Sequence, residues 1–398
     1  MRPPQYTITP SHIHARAAWR LQQQVRLPEG GRKCRPAVLW AVLFYAASRI
    51  ASLAAACAAL RDAPSDTAAH DALLAGLPAF AELQRRLNRA LHGDLPRALR
   101  RQRQPVAIDL TLIPYHGQPL HDVQEIYRGQ AKSGTSHFHA YATAYIIRKG
   151  CRFTVALTAV GRDDPLPAVL QRLLRQAARA GVRPRYVLLD RGFCSVAVIR
   201  YLHAARLAWL MPLVLRGRRA DHPKGPSGSR VFATWKTSGW GQYTMTNSAG
   251  RTATFRVCVR CRNRRGERRR HGRAALVYAF GGPLRPSSSQ WVKDTYRSRF
   301  AIETSYRQMH QARIRTCTRD PLLRLLYVGV ALVLRNVWVW LHWEVLAHHQ
   351  RGPRRIDLGR MSFRRLLLWL QHDVEQWLGV HDQTIAQRPA WGCFTATG

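Results

Sequence analysis

Arg185-Tyr-Val-Leu-Leu-Asp-Arg-Gly-Phe193 is an apolar run that stops on an acid, Asp190, and turns at once through Arg-Gly. It reads as a buried strand with a carboxylate at its end. Ser195 to Arg206 follows as a helix and Ala208 to Leu215 as another strand. On the N-terminal side, Pro165 to Ala180 is an amphipathic helix closed by Gly181. Further out lie three strands: Val106 to Ile113, His137 to Arg148 and Cys151 to Val160. In the first of them the apolar Val106-Ala107-Ile108 runs into a second acid, Asp109. The order βββ-α-β-α-β predicts an α/β core with a mixed sheet. In such sheets the carboxyl ends of parallel strands open onto the site. A third acid, Glu303, lies in Tyr296-Arg-Ser-Arg-Phe-Ala-Ile-Glu303, which reads as a helix.

Around this core the texture changes four times. Residues 1–104 are Ala/Leu-rich and helical in pattern (Ala37 to Leu60, Asp71 to Leu91), and fit a helical DNA-binding region or a dimerisation unit. Residues 105–215 carry the first part of the core. Residues 216–289 are rich in Gly, Ser and Arg and read as a β-rich insertion, with strand-like pieces at Val231–Trp235, Gln242–Thr246, Thr252–Arg260 and Ala274–Phe280. Between the last two stands the basic run Arg262-Asn-Arg-Arg-Gly-Glu-Arg-Arg-Arg-His-Gly-Arg273, read as a hairpin tip. Residues 290–347 return to helix (Trp291–Arg313, Leu322–Ala347), and 348–398 form a short C-terminal helical region around Met361–Gly379.

Charge narrows the function. Lys and Arg number 63 against 22 Asp and Glu in 398 residues, a formal net charge of +41. Excess of one sign destabilises a compact chain unless a polyanion compensates it, so nucleic acid is the expected partner. Nothing near Met1 resembles a signal peptide, and the two apolar stretches are interrupted by Arg49 and by Arg324, Arg335 and Glu344. Both read as buried helices, with no membrane and a cytoplasmic, nucleoid-associated location expected. Eight cysteines are scattered, and the one close pair, Cys258 and Cys261, sits in an alternating strand pattern that points the two thiols to opposite faces. Reduced thiols are expected, with no zinc site.

Singly, each acid has an ordinary explanation: Asp109 could cap a turn, Asp190 could open the next helix, and Glu303 could be a surface residue. Their placement on strand, strand and helix makes them a candidate metal-binding trio. At 100° per residue Tyr296, Arg299, Glu303 and His310 share one side of a helix, and Arg307 joins them. A polar stripe on a helix that must also pack points to a ligand.

Asp109, Asp190-Arg-Gly-Phe193 and Tyr296-x2-Arg299-x3-Glu303 resemble the DDE transposases of insertion sequences, and within them the YREK subclass. The resemblance spans about residues 105–345 and implies an RNase H-like catalytic core with a β insertion before the third acid. It implies two Mg2+ ions, with Mn2+ able to substitute, roughly 3.5–4 Å apart on Asp109, Asp190 and Glu303. Through them the enzyme would cut and rejoin double-stranded DNA at element ends and target, with a homodimer pairing the two ends. Tyr296 and Arg299 would hold the phosphate near the cut. The subclass has Lys where this chain has His310, a weaker phosphate contact that Arg307 or Arg313 would have to supplement. The relatives also stack an insertion aromatic on a flipped base, a role open to Trp240, with Arg264 and Arg265 of the basic tip on DNA phosphates. Trp235 reads instead as insertion core.

Two other motifs are weaker. His137-Phe-His139 puts two imidazoles on one strand face without a third ligand, and Gly129-Gln-Ala-Lys-Ser-Gly-Thr135 lacks the residue order of an ATP phosphate loop. The alternatives to a transposase are a catalytically inactive DNA-binding derivative and a metal-dependent nuclease without strand transfer.

Overall fold

The computed structural model of the chain describes residues 7–264, 272–348 and 354–381. Six helices come first: α1 (Pro10–Val25), α2 (Pro36–Arg49), α3 (Leu53–Ala59), α4 (Asp66–Gly76), α5 (Phe80–Gly93) and α6 (Arg97–Arg101). Both long helices expected there are in fact pairs. Ile50, at φ 54, ends α2, and the Pro78 break separates α4 from α5. Helix α1 lies within the region read as helical, ahead of the two stretches singled out there.

The sheet begins with β1 (Gln104–Pro114), β2 (Tyr127–Lys132), β3 (Thr135–Ile146) and β4 (Thr154–Val160). Then come α7 (Leu166–Arg179), β5 (Pro184–Leu189), α8 (Val196–Ala204) and β6 (Trp209–Pro212). Strands β1, β5 and β6 are parallel neighbours, β3 lies antiparallel on the other side of β1, and β4 is antiparallel to β3. The result is the expected mixed α/β sheet. Val106, Ala107 and Ile108 on β1 and Val187, Leu188 and Leu189 on β5 are wholly buried. A central parallel strand covered on both faces reads as an unbroken apolar run, which is why these two were visible in sequence. Strand β2 was missed. The Gly129–Thr135 segment is its hairpin with β3, Lys132 paired to Thr135 across Ser133 (φ 52) and Gly134 (φ 76), a two-residue turn of the kind that needs left-handed residues.

Residues 216–289 prolong the same sheet. Strands β7 (Gly239–Thr246), β8 (Thr252–Arg264) and β9 (Gly272–Gly281) form an antiparallel meander, and β9 pairs with β6. Gly281 permits that join, since a Cβ there would stand 2.7 Å from the Trp209 indole. The expected strand at Val231–Trp235 is instead a 3-10 helix, Gly228–Thr234.

The chain ends in α9 (Ser289–Arg297), α10 (Ala301–Gln311), α11 (Pro321–Trp340) and α12 (Phe363–Leu378). The continuous helix expected over Trp291–Arg313 is broken by a 3-10 turn at Ser298–Phe300. By length and composition Pro321–Val345 could cross a membrane, but 94% of its most apolar stretch is buried within the fold. Helices α5 and α11 cover β4, whose outer edge would otherwise strand its peptide groups. Asn336 of α11 accepts from Thr154 N at 3.0 Å and donates to Thr154 O at 2.8 Å. Asn88 of α5 does the same for Leu157 at 2.9 and 2.8 Å. Gln84 accepts from Ala159 N at 2.7 Å. Side-chain amides thus replace a missing strand. Arg335, also on α11, is 1% exposed and donates to Arg152 O and Gln308 Oε1.

Candidate active site

The parallel ladder between β1 and β5 ends at Ile108 opposite Leu189. The next residue on each strand is Asp109 and Asp190, so the two carboxylates leave the sheet side by side. Asp109 lies within β1, which continues to Pro114 against β3. It is the first residue past the parallel pairing, which puts it at the same opening. Asp190 precedes the 3-10 turn Arg191–Phe193, but its side chain makes no capping bond.

Glu303 arrives from α10 across the sheet. What fixes α10 is Tyr306, buried one turn beyond Glu303. Its hydroxyl donates to the Asp109 carbonyl at 2.8 Å and pairs with Thr143 Oγ1 at 2.8 Å, Thr143 being the residue opposite Asp109 on β3. Tyr306 was missed in the sequence; its spacing from Glu303 was the available signal, but its partner lies on another strand.

Arg299 sits in the 3-10 turn and brings the three acids onto one guanidinium. Its Nη1 donates to Asp109 Oδ2 at 3.1 Å, and its Nη2 lies 3.3 Å from Asp190 Oδ1 and 3.0 Å from Glu303 Oε1. The Arg299 side chain is 5% exposed, while those of Asp190 and Glu303 are 44% exposed. The guanidinium carbon lies 5.5 Å from the Tyr296 ring centre and 5.6 Å from that of Phe300. Burial pushes the Asp109 carboxyl up to about 6; Arg299 opposes that shift and Asp190 adds to it. Burial disfavours the Arg299 charge, but Tyr296 and the three carboxylates outweigh it, and its pKa is raised. Burial likewise raises the Tyr296 phenol, which keeps its proton.

Carboxylate oxygens are the donors a hard divalent cation takes, but as they stand, around the guanidinium, no three of these groups among the described residues are placed to hold a metal ion together. Each acid gives Arg299 one oxygen. Asp109 Oδ1 accepts from Leu110 N at 2.9 Å, and the second oxygens of the half-exposed Asp190 and Glu303 take no part in the Arg299 contacts. The guanidinium thus marks the point of convergence and leaves the trio oxygens to spare.

The remaining candidates fall elsewhere. Arg307 is exposed on α10 and makes no contact with the acids. His310 is half-buried, and burial, then Arg313 and Lys132, lower its pKa, so it is neutral where a phosphate-binding cation was wanted. Trp240 lies on the outermost strand, 48% exposed and edge-on to Phe280. Trp235 packs against Phe232 at the insertion's core. Arg264 ends β8 opposite Gly272, and Arg265 lies outside the described residues. Cys258 is buried and Cys261 half-buried, both free.

No curated protein sequence matches the chain. Among solved structures it is similar to the piggyBac transposase in a synaptic complex with hairpin DNA, at a TM-score of 0.52 and 11% identity over 94% of this chain and 81% of that one. That likeness concerns the fold. The family model described as the transposase DDE domain matches residues 100–330, a span that holds all three acids and Arg299. With that match over more than half of its length, the chain belongs to the DDE transposase family.

Proposed function

We propose that the protein is an insertion-element transposase that binds the element's ends and carries out metal-dependent cleavage and strand transfer of double-stranded DNA. The observation that carries this reading is the meeting of Asp109, Asp190 and Glu303 around one guanidinium beyond the β1–β5 ladder. Two Mg2+ ions on these carboxylates, replaceable by Mn2+, would supply an activated oxygen nucleophile and charge stabilisation at the phosphate. Asp109, the least exposed of the three acids, anchors the trio, and half-exposed Asp190 and Glu303 face the side from which DNA comes. Tyr306 sets the height of Glu303 over the sheet. Arg299, beside the Tyr296 and Phe300 rings, holds the acids at one spacing.

The structural neighbour's synaptic complex with hairpin DNA supports pairing of two ends, which we assign to a homodimer. We place end binding in the helical region 1–104, where Arg85 and Arg89 are exposed on α5, and further DNA contact on Trp240 and the basic insertion tip. A cytoplasmic, nucleoid-associated site of action follows from a DNA substrate.

The test is cleavage and joining of end-bearing DNA with Mg2+. Asp109→Asn, Asp190→Asn and Glu303→Gln should each abolish cleavage with end binding nearly intact. A wild-type protein that binds ends but never cuts would be an inactive derivative, and one that cuts without joined products would be a nuclease. Near-normal cleavage by any of the three variants would remove that acid from the site.

A further inference from the structure

Past Asp109, strand β1 runs on to Pro114 beside β3, and β2 pairs with β3 along the far edge. The three strands form a ribbon that projects beyond the acids on the side where they open. Six residues of β3 separate Thr143, opposite Asp109, from His137, opposite Arg128. At the rise of a strand that is roughly 20 Å. Side chains alternate along a strand, so His137 shares the face of Thr143, and Arg128 across from it shares that face too. Helix α10 lies on the same face, since its Tyr306 bonds Thr143. Arg128 and His137 therefore stand on the side of the sheet that carries Glu303.

Between this ribbon and the segment after β1 is a polar cleft of about 290 Å3. Tyr115, His116, Arg128, Thr135, His137 and Arg162 are in its walls, and no acid among the described residues lines it. Its frame is fixed from behind. Tyr115, 6% exposed, accepts at its carbonyl from Thr135 Oγ1 at 2.9 Å and donates its N–H to His137 O at 3.0 Å. Its ring meets that of His139 edge-on. The rim is free by contrast. Arg128, Arg162 and His116 are exposed, and among the described residues neither their side chains nor that of His137 have a hydrogen bond or ion pair. The acids of the neighbouring loops are engaged elsewhere. Glu125 accepts from Leu120 N, Asp122 from Gln124 N and Asp163 from Gln124 Nε2, while Asp164 pairs with Arg172.

Exposed cations are well solvated, so these charges alone call for no partner. What singles them out is their convergence on a rigid, acid-free hollow and its continuity with the catalytic side. Lys132 at the hairpin turn and Arg313 just past α10 both act on His310, and Arg319 donates to the carbonyl of Pro119, on the edge of the cleft, at 2.9 Å. Basic groups thus continue from the end of α10 to the cleft.

We infer that the cleft seats one backbone phosphate of the DNA strand whose scissile bond lies at the acids. The guanidinium forks of Arg128 and Arg162 match phosphate oxygens, and an imidazole on the wall adds a further donor. With roughly 3.4 Å between successive phosphates of a strand, the contact falls about six nucleotides from the cut. The identity of the strand rests on the transposase reading.

The test is fluorescence anisotropy of a labelled duplex with the full chain over a salt series. Arg128→Ala combined with Arg162→Ala should melt like the wild type, bind the duplex about tenfold more weakly and lower the salt slope by about 0.9, the loss of one phosphate contact. Arg128→Lys combined with Arg162→Lys keeps both charges and should recover most of the slope. Arg175→Ala combined with Arg179→Ala is the control, removing two exposed cations from α7. That helix is on the other face, because its Arg172 donates to Thr158, opposite Ala142. The control should keep a slope close to that of the wild type. A cleft variant that matches the control in affinity and slope would overturn the inference. The transposase reading is judged separately, by cleavage and joining. A wild type that cuts and joins end DNA, beside a cleft variant that binds like the control, would lose the cleft alone.

Discussion

Arg299 offers the sharpest test at the scale of one residue. A phosphate contact is what the family resemblance implies for it, yet its i, i+4 spacing from Glu303 equally allows a partner that orients that acid. In the fold its Nη atoms lie within 3.0 to 3.3 Å of all three acids. A buried guanidinium among carboxylates fixes where they stand, as groups behind metal ligands do, and loss of such groups costs roughly 10–100-fold in metal affinity. Arg299→Ala should therefore weaken Mn2+ binding to the chain by about that factor, with binding of a pre-cut end less affected. Calorimetry with Mn2+ and a mobility-shift assay on the pre-cut end read the two separately. Intact Mn2+ affinity with lost end binding would return Arg299 to the phosphate. Tyr306 illustrates what sequence hides at this scale, for its worth lies in the Asp109 carbonyl and Thr143, 197 and 163 residues away along the chain.

Among the elements, strand β4 is the instructive one. Its apolar run marked it as a strand, yet nothing in that run tells that it has a sheet neighbour on one side only. Asn88, Gln84 and Asn336 complete it from α5 and α11, and these amides look like ordinary helix residues in the sequence. Asn88→Ala would leave the buried Leu157 N–H and carbonyl without partners. Each such loss costs about 1–3 kcal/mol, so the variant should be less stable by about 2 kcal/mol or more. A fall in the urea midpoint at unchanged slope would register it, and a midpoint equal to wild type would mean that water replaces the amide. The same contrast separates legible elements from hidden ones generally. Strands β1 and β5 could be read because burial on both faces leaves an apolar run, and α7 because its stripe has helical period. The 3-10 turn at Ser298–Phe300 could not, since all its residues tolerate a helix and the break is imposed by Arg299 reaching inward to the acids.

For the whole molecule the governing quantity is charge. Even if every one of the 22 acids took a separate partner, 63 − 22 = 41 Lys and Arg would remain uncompensated. Several acids already have partners: Asp94 pairs with Arg16 and Arg20, Asp164 with Arg172, and the acid trio shares the single Arg299. These cations are also spread over a fold with one continuous apolar core, which joins residues from Ile13 on α1 to Leu378 on α12. A polyanion lying across such a body would meet many of them together. Each phosphate neutralised lowers log K by about 0.9 for a tenfold rise in salt, and six to ten contacts cost about 10³–10⁵ in affinity between roughly 50 and 200 mM salt. Duplex DNA binding should fall within that range, measured by fluorescence anisotropy over a salt series, and it should do so for unrelated sequences as well as element ends. The acid variants should share the wild-type slope, because they alter the proposed metal ligands and leave the phosphate contacts in place. A nearly flat salt response would mean that the excess charge serves something other than DNA, whatever the acids do.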